Sequence, residues 1–141
     1  MTKVFFHYRD TQVSFKKKEI KKLIANLFQE EKVNLNRVDY IFCKDDFLVK
    51  INKEFLHHNI LTDIITFNFS KKDLFIVGEI YISTDRVKEN ASKYKVSIND
   101  ELLRVVIHGA LHLCGFNDKT KVDKNSMTRT ENIYLSRISS D

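Results

Sequence analysis

The sequence predicts an α+β fold, and three observations carry that prediction. Segments with strand periodicity and segments with helical periodicity follow one another without strict βαβ alternation. One helical stretch, Leu102-Leu-Arg-Val-Val-Ile107, is apolar nearly all round, which marks a central helix rather than a surface one. The length of 141 residues suits a single domain, 1–141, large enough to bury a core. About four strands and about five helices are expected.

The elements are justified in chain order. Val4-Phe5-Phe6-His7-Tyr8 is rich in strand formers. From Phe15 to Glu31 the apolar residues Ile20, Leu23, Ile24, Leu27 and Phe28 fall at helical spacing. Val38 to Cys43 reads as a buried strand. Asp45 or Asp46 is placed to cap a helix through about Phe55, with Phe47, Leu48 and Ile51 on its apolar side. Asp63 to Phe69 reads as a strand, and Leu74 to Ser83 as another, broken by Gly78. Thr84 or Asp85 is placed to cap a helix to about Tyr94. Ser97 with Asp100 three residues on resembles a capping box, opening a helix to about Cys114 that Gly115 stops. The last helix runs from about Val122 to Ile138, with Met127, Ile133, Tyr134 and Ile138 among its apolar residues.

Composition narrows the class. Three glycines and no proline exclude collagen-like, Pro-rich and Gly/Ser-linker proteins. The net charge of +5 favours anionic partners, and much of the excess is local. Lys16, Lys17, Lys18, Lys21 and Lys22 crowd one helical start, and Lys119, Lys121 and Lys124 form a second set. Cys43 and Cys114 lie in apolar surroundings and make no disulfide framework, which suits a reducing compartment. The N-terminal stretch lacks a signal peptide's long apolar core, and no apolar run approaches the 20 or so residues of a membrane span. The expectation is a cytoplasmic protein with no membrane partner.

The informative stretch is Ile107-His-Gly-Ala-Leu-His-Leu-Cys-Gly-Phe-Asn-Asp118. Residues four apart on a helix differ by about 40° around it and about 6 Å along it. His108 and His112 can therefore reach one ion. Gly115 ends the helix and lets the chain reverse, so that Asp118 can return as a third ligand. Two imidazoles and a carboxylate leave an open position on a divalent ion, where water becomes acidic enough to act near neutral pH. No side chain is assigned a catalytic role beyond that metal-bound water. A zinc peptidase of the His-Glu-x-x-His kind needs Glu as its base, where this chain has Gly109.

His108-Gly-Ala-Leu-His112-Leu-Cys-Gly115-Phe-Asn-Asp118 resembles the His-Gly-x-Leu-His-Leu-x-Gly-Tyr-x-His/Asp signature of the YbeY family, bacterial endoribonucleases of rRNA maturation. Asn52-Lys-Glu-Phe55, Thr62-Asp-Ile-Ile-Thr-Phe67 and Val77-Gly78-Glu79-Ile80-Tyr-Ile-Ser83 are similar to further segments of that family, so the resemblance covers most of the chain. It implies a mixed four-stranded sheet packed with helices, with the metal site at the end of a central helix. It also implies one Zn2+ ion held by His108, His112 and Asp118. The implied substrate is single-stranded RNA, with the small ribosomal subunit as partner and no DNA. The implied activity is endonucleolytic, in maturation of the 16S rRNA 3′ end and in ribosome quality control.

Two positions depart from the family pattern. Asp118 stands where many members carry a third histidine, and the harder carboxylate makes the preference for zinc less exclusive. Leu56 stands where many members carry an arginine facing the site, leaving Arg86 and the Lys119 cluster as candidates for the anion-binding role.

Other residues carry weaker signals. His57 and His58 point about 100° apart on a helix and are poor co-ligands. His7 reads as structural or exposed. Gly78 suggests a bulge or a close backbone approach. Glu79 and Asp63 are candidates for a general base, although surface-facing strand positions fit them equally well. Phe116 is placed to pack or to stack on a base. Two other functions share the ligands: a metal-dependent hydrolase of another substrate, such as a peptidase, and a non-enzymatic ribosome-associated factor with a structural metal.

Overall fold

A computed structural model describes residues 3–57, 61–71 and 75–138. Within it β1 (Val4–Tyr8), β2 (Leu35–Cys43), β3 (Ile64–Asn68) and β4 (Ile76–Ser83) form one sheet in the order β1-β2-β4-β3. β2 runs parallel to both β1 and β4, while β3 is antiparallel to β4 and forms one edge. The sheet is thus mixed, as the resemblance implied. Five helices accompany it: α1 (Lys17–Glu30), α2 (Asp45–Leu56), α3 (Thr84–Tyr94), α4 (Ile98–Leu113) and α5 (Lys121–Leu135).

The period-2 alternation sorts each strand between two faces. Val38, Tyr40 and Phe42 of β2, with Ile80 and Ile82 of β4, join α1 and α4 in the main core. The opposite face carries a smaller cluster, Cys43, Leu48, Ile51 and Ile65, with Phe47, Phe67 and Tyr81 packed against it. α4 is the central helix that its sequence indicated. Ile107, Ala110 and Leu111 have no exposed surface, and each such Leu or Ile contributes about 1.5–3 kcal/mol. Tyr40 crosses from the sheet to donate its hydroxyl to the Val106 carbonyl at 2.8 Å. Gly109 has a packing reason: a Cβ there would lie 2.8 Å from a methyl of Ile80 and 3.0 Å from Ile64. Its absence lets α4 lie close against β3 and β4.

Several boundaries differ from the sequence reading. β2 begins at Leu35, and its register shifts between Leu35 and Arg37, where polar Asn36 and Arg37 mask the strand pattern. Gly78 does not break β4. It pairs in register with Val38 and Asn68, and a Cβ would meet Leu113 at 2.8 Å, so the close approach holds and the bulge does not. Leu74, placed at the start of that strand, lies outside the described residues. The cap of α2 is Lys44, not Asp45 or Asp46, and a free first-turn N–H, that of Asp45, is instead satisfied by Asp85 at 3.0 Å. Ser83, not Thr84 or Asp85, caps α3 by accepting from the Arg86 N–H, because the buried Thr84 hydroxyl is donated to the Cys43 carbonyl. Ser97 caps α4 as expected, accepting from the Asp100 N–H at 3.0 Å. Thr120 does the same for α5, which ends at Leu135. Among the described residues no helix is long and apolar enough to cross a membrane.

Candidate metal centre

The last two turns of α4 carry His108 and His112 on the side that faces β3, and Gly115 reverses the chain behind them at φ +102°. The Phe116 N–H bonds the Leu111 carbonyl, which closes the turn and brings Asp118 back over the helix. The Nε2 atoms of the two histidines lie 3.0 Å apart. A carboxylate oxygen of Asp118 is 3.4 Å from the first and 3.5 Å from the second. The spacing argument of four residues and a returning acid is therefore realised in space: the three donor atoms lie within 4.8 Å of one another.

The outer nitrogens decide what the inner ones can do. His108 Nδ1 meets Glu131 of α5 at 2.6 Å, and His112 Nδ1 meets the Phe116 carbonyl at 3.0 Å. A carbonyl only accepts, and an ionised carboxylate only accepts, so both Nδ1 atoms must carry the proton. Both Nε2 lone pairs then face each other and a carboxylate, an arrangement that calls for a positive charge between them. Two neutral imidazoles and one carboxylate are donors that a divalent ion takes, and acceptors bonded to the outer Nδ1 atoms fix the orientation of such ligands. The residues present fit a metal. Burial alone would lower the His108 pKa, but the Glu131 hydrogen bond and the charges of Glu131, Asp118 and Asp63 outweigh it and raise the value above 6.5.

The donors open into a cleft of about 790 Å³ between α4, the edge strand β3 and the end of α2. Asn52 and Leu56 of α2, Asp63, and Ile64 to Thr66 of β3 line one wall; Glu101, Arg104 and Val105 of α4 line the other. Leu56 thus faces the site, as the departure from the family pattern implied. Asp63 is in the cleft. Glu79 is not: it lies on the opposite face of β4, accepting from the Tyr81 hydroxyl at 2.8 Å. Arg86 is also elsewhere, bound to Asp45 at 3.1 Å and Glu89 at 2.9 Å, and Lys119, Lys121 and Lys124 do not line the cleft. Phe116 packs against the core, and His7 pairs with Asp39 at 2.7 Å on an exposed face. His57 ends α2 in the left-handed region, while His58 lies outside the described residues.

Two neighbours of the candidate site went unread in the sequence. Glu131 is only 5% exposed and binds Arg104 at 2.8 Å as well as His108. Its signal was a carboxylate in register with the buried Met127 and Tyr134. Arg104 is the only arginine or lysine among the described cleft residues, and it precedes His108 and His112 at the same spacing of four. Burial pushes the Cys43 and Cys114 thiols up to about 12, so both are inert, as their apolar surroundings suggested.

Comparison with known proteins identifies relatives of the chain. A model of the family described as Endoribonuclease YbeY matches residues 5–139. The chain is 41% identical over 138 residues to the Endoribonuclease YbeY of Amoebophilus asiaticus, covering 96% of this chain and 94% of that one. It is 42% identical over 134 residues to the Endoribonuclease YbeY of Cytophaga hutchinsonii, covering 94% of each. The solution structure of TM1509 from Thermotoga maritima superposes with a TM-score of 0.68 at 26% identity, over 94% of this chain and 87% of that one. On sequence and fold together, the chain belongs to the Endoribonuclease YbeY family.

Proposed function

We propose that this chain, as one hydrolase domain over 1–141, is a metal-dependent endoribonuclease. It cuts single-stranded RNA, acts in maturation of the 16S rRNA 3′ end and in ribosome quality control, and works in the cytoplasm on the small ribosomal subunit. The observation that carries the reading is the convergence of two imidazole Nε2 atoms and a carboxylate in an open cleft. The names of the relatives supply the substrate class.

His108, His112 and Asp118 would hold the ion, Zn2+ in this reading. When bound, it supplies Lewis-acid polarisation of a phosphoryl oxygen and lowers the pKa of water. Glu131 and the Phe116 carbonyl hold the two rings in the required tautomer and orientation. Arg104 brings a fixed positive charge to the wall of the cleft, in the role that Leu56 leaves vacant; neither Arg86 nor the Lys119 cluster is there to take it. Asp63 stands in the cleft as an acceptor for the proton of the attacking hydroxyl or water.

Metal-loaded protein incubated with single-stranded RNA and with an unfolded protein tests the reading. Cleavage of the RNA alone supports it, and cleavage of the polypeptide alone overturns it. A 2′,3′-cyclic phosphate end would identify the 2′-hydroxyl as nucleophile; its absence would identify water. A peptidase is the second reading, and one observation favours it: the edge of β3, unpaired among the described residues, borders the cleft, where an extended polypeptide can add as a strand. Gly109 withholds the general base that such a peptidase uses.

A further inference from the structure

The cleft is poorly charged for a polyanion. Its described lining holds four carboxylates, Asp63, Glu101, Asp118 and Glu131, against the single guanidinium of Arg104. The chain as a whole is nonetheless +5, so the positive charge that an RNA backbone needs lies elsewhere. Much of it borders a second cavity, of about 560 Å³, at the amino ends of β1 and β2. Lys18, Lys21 and Lys22 of α1 line one side and Lys3 the other, with no acid among the described lining residues. None of these lysines makes an ion pair among the described residues, whereas the cleft arginine is tied to Glu131. Lys21 is steadied over the ring of Phe6 at 5.5 Å. Phe75, 55% exposed, stands at the same cavity and offers a face on which a base can stack.

The sheet sets the span between the two cavities. Asn68 borders the cleft and pairs with Gly78 of β4; two residues back, Ile76 pairs with Leu35 of β2, which borders the lysine cavity. Two strand spacings and two residues along a strand make roughly 12 Å. A strand leaving the cleft across this end of the sheet meets the lysines within a few nucleotides.

We propose that the cavity lined by Lys3, Lys18, Lys21, Lys22 and Phe75 is a second RNA site, which anchors the phosphate backbone of a single strand whose neighbouring nucleotides occupy the cleft. The proposal rests on the endoribonuclease reading for its substrate class. It divides the work: the cleft positions one phosphodiester, and the lysine cavity supplies affinity without reading sequence.

The test is binding of single-stranded RNA to the full-length chain in chelator, where no metal-dependent cleavage interferes. Oligomers of about 4 and about 16 nucleotides bracket one site and both. The variant carries Lys18→Gln, Lys21→Gln and Lys22→Gln together, and a Lys→Arg version of the same three controls for folding. The expected result is that the variant binds the long RNA about tenfold more weakly. Its slope of log affinity against log salt falls by up to about 2, from about 0.7 per lost phosphate contact. The short RNA binds both proteins alike, and the arginine version behaves as wild type. Equal affinity and slope for the long RNA would overturn the proposal. So would loss of binding to vesicles containing phosphatidylserine while long-RNA affinity is unchanged, which would make the face a membrane surface. Failure of the endoribonuclease reading looks different: the metal-loaded chain would leave RNA uncut while the lysine-dependent binding persisted.

Discussion

Two polar clusters sit against the same sheet, and they differ in whether they balance their own charge. At the carboxyl ends of β2 and β4, Asp45 accepts from the Ser83 hydroxyl at 2.7 Å and from Arg86 Nε at 3.1 Å, while Asp85 accepts from the Asp45 N–H. Thr84 bonds the Cys43 carbonyl and meets the Thr11 hydroxyl. Each of these donors has an acceptor, and each carboxylate a donor. At the end of α4, by contrast, two imidazole Nε2 atoms and a carboxylate converge, and in the neutral rings, with both Nδ1 protons directed outward, none of the three is a donor. Both clusters contain a carboxylate and nitrogen-bearing side chains, so residue type does not separate them. Charge closure does: the first cluster is finished as a structural joint, and the second leaves its inner donors facing one another, open to a cation or a proton.

That contrast can be broken most severely by removing the cation. Chelation is expected to abolish RNA cleavage while the far-UV circular dichroism of the protein stays unchanged, because the core around α4 is built from buried apolar side chains. Unfolding on chelation would make the metal structural and support the non-enzymatic alternative.

A gentler change is Glu131→Gln, which keeps the side chain's shape and loses the acceptor's charge. Metal affinity, measured by competition with a chromophoric chelator, is expected to fall about 10- to 100-fold. An unchanged affinity would show that Glu131 does not support His108.

On the closed cluster, Ser83→Ala removes the α3 cap and the bond to Asp45. Denaturant unfolding is expected to show a loss of about 1–2 kcal/mol with metal content unchanged. A change in metal content would couple two clusters that the structure keeps separate.

The smallest effect is a pH dependence. In the chelated chain the folded His108 pKa lies above 6.5, so the folded state binds that proton more tightly than the unfolded state. The associated stability is fully present below 6.5 and is lost as pH rises through the folded value. The melting temperature should decline across that window, and Glu131→Gln should flatten the decline. A rise with pH in the same window, abolished by that variant, would reverse the sign assigned to His108.

The two clusters also show what the sequence could and could not reveal. The open one was largely visible, because His108, His112, Gly115 and Asp118 fall within eleven residues and helical geometry alone relates them. Its support was hidden: Glu131 is 23 residues from His108, and its meaning depends on how α5 packs on α4. The same holds for Arg104, which sits within the apolar run that identified α4 as central. The closed cluster was misread for a related reason. Asp45 and Arg86 are 41 residues apart, so a caps-and-charges reading made Asp45 a helix cap and Arg86 a free cation, whereas each is the other's partner. The fold itself was legible wherever burial sets a period, as in α1 and α4. It was less so at Leu35 to Arg37 and at Gly78, where strand pairing and helix packing override the local pattern.

The most direct test of the central claim is the metal content of the purified protein against that of His112→Ala, by elemental analysis, with circular dichroism on both. The account predicts one divalent ion per wild-type chain and none in the variant, with the fold intact and RNA cleavage lost. Full metal content in a folded His112→Ala protein would contradict it.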